Sequence, residues 1–240
     1  MTSPASPPPL PGSPCTDCAG HADCVMGRLP QAMRQQWGAA LQERRFTKGQ
    51  VLAEQGAQAH SMRVIKTGSV LLQGRHWDGS YQPVALVGRG AVTGLLGIHG
   101  QGNALGLRAA SAGRYCEIDH QALRAGPVRS VEWRDAMAAI VAQSYQCLAD
   151  WAQVVRVRQV THRMGAALLL IGKEQRSPLV RLPDHASLAA LLGMSRESVV
   201  RALASLQQQG CLKRRDASHY ELQQPALLQC LYRENDGSRG

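Results

Sequence analysis

Three thiols stand within one short stretch, Cys15-Thr16-Asp17-Cys18-Ala19-Gly20-His21-Ala22-Asp23-Cys24, in a C-x2-C-x5-C spacing. Thiolates are soft donors. Set this close with no disulfide framework, they serve a soft metal ion or an iron–sulfur cluster. A disulfide reading is weaker, because the number of thiols is odd and no basic region followed by an apolar run precedes them. His21 opens a second possibility: Cys15, Cys18, His21 and Cys24 supply enough donors for a local Cys3His zinc site. The bland alternative is a disordered tail with incidental cysteines.

A second group suited to chemistry lies towards the other end. Ser187 to Leu203 reads as helix, tight turn, helix. Gly193 supplies the permissive backbone of the turn, and Ser195 is placed to cap the second helix. In such a unit the second helix enters the major groove, with its N-terminal residues at the base edges. Ser195, Arg196, Glu197, Val200 and Arg201 occupy that end. Arginine grips guanine O6 and N7 with two bonds, and glutamate accepts from cytosine N4. The competing reading is a solvated face with ordinary salt bridges. Cys211 to Leu222 then reads as a two-stranded wing, where Lys213-Arg214-Arg215 is suited to phosphate contacts.

These groups need a frame. The chain has 240 residues, room for one large or two modest domains. Its 27 Lys/Arg against 17 Asp/Glu leave a net charge of +10, which favours polyanionic partners. Residues 161–240 carry eleven Lys/Arg against seven Asp/Glu, a surplus of four, so charge alone does not locate a DNA-binding face. No apolar run reaches the roughly 18 residues of a membrane span, so no membrane segment is expected and the chain is placed in the cytoplasm.

Residues 1–14 hold Pro4, Pro7, Pro8, Pro9, Pro11 and Pro14 and read as an extended, disordered leader. Leu29, Met33, Trp37 and Leu41 recur every four residues, a helical stripe packed on the next domain. Short apolar runs between glycine turns, from Phe46 to Ala125, read as a small barrel or jelly roll. A long helix follows over roughly 128–158. Trp133, Met137, Ile140, Ser144, Cys147, Trp151 and Val154 keep a 4-3 spacing along it, the seam of a left-handed helix pair. Val141, Leu148 and Val155 widen the stripe, so that one side faces a partner chain and the other the barrel. The alternative is one helix buried on its own domain; polar Ser144 in the stripe favours the dimer. Cys147, Cys211 and Cys230 are read as small buried hydrophobes.

From Cys15 onward the chain resembles the cyclic-AMP receptor protein/FNR superfamily of transcription regulators. Gly49-Gln50-Val51-Leu52-Ala53-Glu54-Gln55-Gly56 and Ile65-Lys66-Thr67-Gly68-Ser69-Val70 resemble its barrel signature, and Ser195 to Arg201 resembles its recognition helix. The cysteine leader is similar to that of the FNR branch, which binds a 4Fe–4S cluster and senses oxygen. That branch takes its fourth ligand from a cysteine just before Glu-Ile, and Cys116-Glu117-Ile118 stands in that place. The resemblance thus implies Cys15, Cys18, Cys24 and Cys116 as iron ligands, with oxygen converting 4Fe–4S to 2Fe–2S and weakening the dimer. The family's cyclic-nucleotide binders carry a glutamate and an arginine where this chain has Thr93 and Asn103. A buried phosphate with no cation would be poorly held, so no cyclic nucleotide is expected. FNR-like helices read TTGAT half-sites and cyclic-AMP-receptor-like ones TGTGA. Arg196 matches the second pattern, which makes GTGA the expected preference.

The expected fold is α+β. Its parts are the leader 1–14, a cluster-binding segment 15–30, a cyclic-nucleotide-binding-like barrel 31–127, a dimerisation helix 128–160 and a winged helix-turn-helix 161–240. The expected function is an oxygen- or redox-responsive, non-enzymatic regulator working as a homodimer. Its partners would be inverted-repeat double-stranded DNA and RNA polymerase, with no membrane. The alternative is the same fold with a structural zinc site or a thiol redox switch. An electron-transfer or catalytic iron–sulfur protein is disfavoured, since no second cofactor motif appears and the DNA-reading helix would be unexplained.

Overall fold

Strands with alternating side chains need two covers when both faces are apolar. Strand β3 (Ser61–Thr67) is such a strand. Met62 and Val64 join one buried cluster and Ile65 another. The computed structural model that shows this describes residues 15, 18, 22, 24–38 and 40–233, with side chains through Leu231. The proline-rich leader and His21 lie outside the described residues.

The first sheet has the order β1-β8-β3-β6, with β1 Gln42–Phe46, β8 Gly113–Asp119 and β6 Val92–Thr93. The second has the order β2-β7-β4-β5, with β2 Val51–Ala53, β7 Gly106–Ala109, β4 Val70–Arg75 and β5 Tyr81–Val87. Phe46, Ile65 and Tyr115 of the first sheet meet Leu52, Val70 and Leu107 of the second in one core. The turn from β3 to β4 depends on Gly68, at φ +85°, where a Cβ would lie 2.7 Å from the Ala112 carbonyl oxygen.

The outer face of the first sheet is covered by the N-terminal segment and by helices. Helix α1 (Gln31–Trp37) buries Trp37 on it; Leu29 packs there ahead of the helix, and Leu41 lies beyond its end. Helix α2 (His120–Ala125) adds Leu123, and the long helix α3 (Val131–Val154) adds Trp133, Ala136 and Ile140.

The chain divides into two compact units, residues 1–81 with 87–147, and 82–86 with 148–240. The division falls within α3, not at the ends of a 128–160 segment. In the second unit, α4 (Val160–Gln175) buries Met164, Ala167, Leu168 and Ile171. Helices α5 (His185–Leu192) and α6 (Arg196–Gln208) follow it. The wing is larger than a hairpin: β10 (Leu212–Arg214) and β11 (His219–Leu222) are joined by β9 (Leu179–Arg181), in the order β10-β11-β9. Helix α7 (Gln224–Arg233) ends the described chain.

Burial reassigns the predicted helical seam. Ile140 and Trp151 are 2% and 0% exposed within their own chain, and Val154 is 6% exposed. Met137 packs with the outer-face cluster and Cys147 with the core between the sheets. The Trp151 indole donates to the Leu86 carbonyl at 3.0 Å. Ser144 is exposed, but its hydroxyl donates back to the Ile140 carbonyl at 2.9 Å. A 4-3 spacing identifies an apolar stripe but not which surface covers it, and the bulky aromatics took the chain's own core. The exposed stripe lies one position further on, at Val141, Tyr145, Leu148, Ala152 and Val155, again spaced 4-3.

One polar residue holds the helix-turn-helix closed. Arg163 on α4 donates from Nε to the Val157 carbonyl at 2.8 Å, and from Nη1 to Leu192 and Gly193 carbonyls at 2.9 and 3.3 Å. Those last two are the orphan acceptors at the end of α5, where a cation is also favoured by the helix dipole. Arg163→Ala is expected to destabilise the second unit by about 1–3 kcal/mol, read by urea unfolding, with Arg163→Lys recovering only part of it.

Candidate thiol cradle and nucleic-acid interface

Cys116 sits on β8 opposite Val64 of β3 and Glu43 of β1. Directly paired residues share a face, so its thiol lies on the outer, covered side of the first sheet. Cys15 and Cys24 pack against the same apolar cluster, beside Val25, Met26 and Trp37. The Cys24 carbonyl accepts from Gly27 N–H at 3.0 Å, which starts the turn Met26–Arg28. Cys15, Cys18, Cys24 and Cys116 are all half-buried.

Burial dominates the titration of Cys15, Cys24 and Cys116. Burial pushes the Cys116 thiol up to about 12, and charges at Cys24 and Cys15 push in the same direction while Lys66 opposes them. Burial also raises Cys15, followed by Cys24 and Cys18. Burial raises Cys24 against the backbone N–H groups of Met26 and Gly27. Lys66 would be lowered by burial, but pairing with Glu43 and the charges of Cys18 and Cys116 carry it upwards. It therefore stays a cation beside the thiols, 2.5 Å from a Glu43 oxygen, while Arg114 holds the other Glu43 oxygen at 3.0 Å.

Cys15, Cys18, Cys24 and Cys116 match a 4Fe–4S cluster in the number and type of their donors. In a 4Fe–4S cubane each iron takes one thiolate, so the sulfurs straddle a cube instead of converging on a point. Among the described residues no three His, Cys, Asp or Glu side chains converge on a single ion. Four half-buried thiols with a lysine beside them fit a group that deprotonates its ligands and carries net negative charge.

The inner face of the same sheet carries a different charge arrangement. Glu117 accepts from Arg44 Nε at 2.6 Å, Arg63 Nε at 2.8 Å and Ser61 Oγ at 2.6 Å. Burial alone would raise this carboxyl, but Ser61, Arg63 and Arg44 together hold it below its ordinary value. Arg63 also donates to the Leu52 carbonyl at 2.9 Å. A cavity of about 410 Å³ opens on this group. Asn103 lines it and gives its amide to the carbonyls of Glu54 and Ala57, at 3.3 and 3.0 Å. Thr93 is buried on β6.

At the other site the local chemistry expected from sequence is present. Gly193 takes φ +59°, and Ser195 Oγ accepts from Ser198 N–H at 3.1 Å to cap α6. Val199, Ala202, Leu203 and Leu206 are buried, which turns Arg196, Glu197, Val200 and Arg201 outward. The carboxyl of Glu197 is lowered first by its own backbone N–H, then by Ser195, Arg201 and Arg196. Arg201 Nη2 donates to Ser198 Oγ at 3.3 Å, which presets its rotamer.

In the wing Lys213, Arg214 and Arg215 are exposed, with Arg215 paired to Glu221. Asp216 shapes the wing turn. N–H groups of Ser218 and His219 pull its carboxyl down to about 2. Sequence reasoning missed Lys66, Arg163 and the Arg44–Glu117–Arg63 group. Their only signal was a charged residue inside a strand or helix pattern.

Residues 43–126 match the cyclic nucleotide-binding domain, and residues 162–231 match the Crp-like helix-turn-helix domain. A cyclic AMP receptor protein from Thermus thermophilus is 26% identical over 193 residues, 78% of this chain and 87% of that protein. The structure of FixK2 from Bradyrhizobium japonicum superposes with a TM-score of 0.67 at 22% identity, over 78% of this chain and 95% of that one. A CRP-family regulator from Thermus thermophilus gives 0.63 at 18% identity, over 78% and 96%. At such identities the structural likeness is one of fold. Neither matched domain is catalytic, and no helix among the described residues is long and apolar enough to cross a membrane. With its barrel followed by a Crp-like helix-turn-helix, this chain belongs to the CRP/FNR family of DNA-binding transcription regulators.

Proposed function

We propose that this regulator senses oxygen or a related oxidant through a 4Fe–4S cluster held by Cys15, Cys18, Cys24 and Cys116. The observation that carries the reading is the placement of Cys116. It comes from a strand far along the chain, yet pairs with Val64 on the face whose apolar cluster Cys15 and Cys24 pack against. When bound, the cluster would supply an oxidant-labile tie between the N-terminal segment and β8. The chain's own residues then connect that tie to α3: Cys15 and Cys24 pack against the cluster that holds Val25, Met26, Trp37, Trp133 and Ile140. Securing the segment biases the helix that bears the exposed 4-3 stripe, a local change read out as pairing.

Regulators of this family are typically dimeric, and the pairing surface proposed here is the stripe Val141, Tyr145, Leu148, Ala152 and Val155. The dimer would read an inverted repeat, with half-sites about 10–10.5 bp apart. RNA polymerase is the expected further partner. The proposal excludes a cyclic nucleotide from the barrel, supported by Arg44 and Arg63 being engaged by Glu117 and by Asn103 being engaged by backbone.

Three measurements test this. Protein purified anaerobically should be brown and oxygen-bleached. Ser at position 15, 18, 24 or 116 should each remove most of the iron, while Cys147→Ser retains it. A colourless protein holding zinc, or full iron in Cys116→Ser, points to the structural-zinc or thiol-switch reading.

For the dimer, Tyr145→Glu and Leu148→Glu should give monomer mass with an unchanged circular dichroism spectrum and a melting temperature that no longer depends on protein concentration. Ile140→Glu, whose side chain is buried in its own chain, should instead lower stability by about 3 kcal/mol or more. A dimer of unchanged mass in both surface variants would reject the stripe.

For the operator, selection on randomised DNA should return GTGA half-sites, and Arg196→Val should cost about 1–3 kcal/mol at the guanine. A TTGAT consensus unaffected by Arg196→Val would mean that Arg196 contacts phosphate.

A further inference from the structure

Two thiols outside the N-terminal set meet in the DNA-binding unit. The sulfurs of Cys211 and Cys230 are 3.1 Å apart. Cys211 is fully buried, one residue beyond Gly210, which follows the end of α6, and Cys230 is half-buried on α7. Neither takes part in DNA reading or in the thiol cradle, and isolated buried hydrophobes would have no reason to pair sulfur to sulfur. The backbone fixes the geometry from both sides. Cys211 N–H donates to the Leu206 carbonyl of α6, and its carbonyl accepts from Gln223 N–H just ahead of α7, both at 2.9 Å. The Cys230 thiol donates to the Gln209 side-chain oxygen at 2.8 Å, which orients it at the entrance to the buried partner.

We propose that Cys211 and Cys230 form a reversible disulfide that clamps the end of the recognition helix to α7, independently of the N-terminal thiols. A disulfide needs its sulfurs at about 2.05 Å, so closing the pair takes about 1 Å, within reach of side-chain rotation. The recognition helix keeps its place. The oxidant is a low-molecular-weight disulfide of the glutathione class. The Cys230 thiolate attacks one sulfur of that disulfide and expels the first small thiolate. The Cys211 thiolate then attacks the Cys230 sulfur of the mixed disulfide and expels the second. Two protein thiols lose two electrons, the small disulfide gains them, and the two thiol protons pass to the two released thiolates. The accessible sulfur is struck first and the buried one resolves. Burial raises the Cys211 thiol, and that cause persists in the mixed disulfide, so the second step quickens as pH rises.

The experiment uses the full chain, reduced, without metal, incubated anaerobically with oxidised glutathione and mapped by peptide mass spectrometry. The expected product is a pair of peptides carrying residues 211 and 230, joined and lighter by two hydrogens, with no glutathione retained and full reversal by dithiothreitol. Cys211→Ser should stop at a stable glutathione adduct on Cys230, and Cys230→Ser should leave Cys211 unmodified. The oxidised chain should melt higher by about 5 °C or more, because the bond closes a loop in the unfolded chain. A lasting glutathione adduct on Cys230 of the unsubstituted chain, or either cysteine joined to an N-terminal thiol, would overturn the assignment. So would a lower melting temperature on oxidation. The unsubstituted chain alone decides these outcomes, so the proposal stays testable if a variant fails to fold. Loss of the N-terminal cluster assignment would leave them unchanged.

Discussion

The first unit turns on the side chain of Trp37. Its ring is 1% exposed and lies 5.0 Å from the Trp133 ring. Its indole N–H donates to the Leu123 carbonyl at 3.3 Å, the end of α2. A Cβ on Gly126 would stand 2.0 Å from the indole nitrogen, so glycine alone fits there. One aromatic thus joins α1, α2, α3 and the outer face of the first sheet. Remove it and the N-terminal segment has no fixed floor, and its thiols no fixed distance from β8. Aromatic pairs contribute about 0.5–1.5 kcal/mol beyond area burial, but the larger effect here is geometric.

The same sheet manages charge on both faces. Outside, Glu43 is held between Lys66 and Arg114; inside, Glu117 is held between Arg44 and Arg63 with Ser61 closing the set. Each of these two sets pairs one carboxylate with two cations, a surplus of positive charge. Buried ions persist only when paired, and breaking a pair costs more than the pair contributes. The outer surplus stands beside the thiols of the N-terminal segment and β8. The inner surplus is spent on Glu117 and the Leu52 carbonyl, leaving a polar cavity whose guanidiniums already have partners.

Much of this was legible from sequence. The helix–turn–helix was plain because Gly193 and Ser195 are local signals whose chemistry acts within a few residues. The glycine-spaced strands were plain for the same reason. Two kinds of information were not local. Whether the Ile140–Trp151 stripe met its own barrel or another chain depended on tertiary cover, and both answers satisfy a 4-3 pattern. Arg163 and the Cys211–Cys230 contact join segments with no spacing rule between them. Cys116 was found only through family resemblance, since a single cysteine in a strand carries no pattern of its own.

Helix α3 carries two apolar stripes side by side, one turned to the chain's own core and one outward. Each residue advances an α-helix by about 100°, so one inserted or deleted residue between Trp133 and Val154 would rotate everything beyond it by that angle. Trp151 would leave its seat under Leu86, and polar side chains would turn inward. The length of this helix is therefore far less free to vary than its composition: single exchanges of apolar residues are tolerable at many positions, whereas a change of reading register along the rod disrupts both stripes at once.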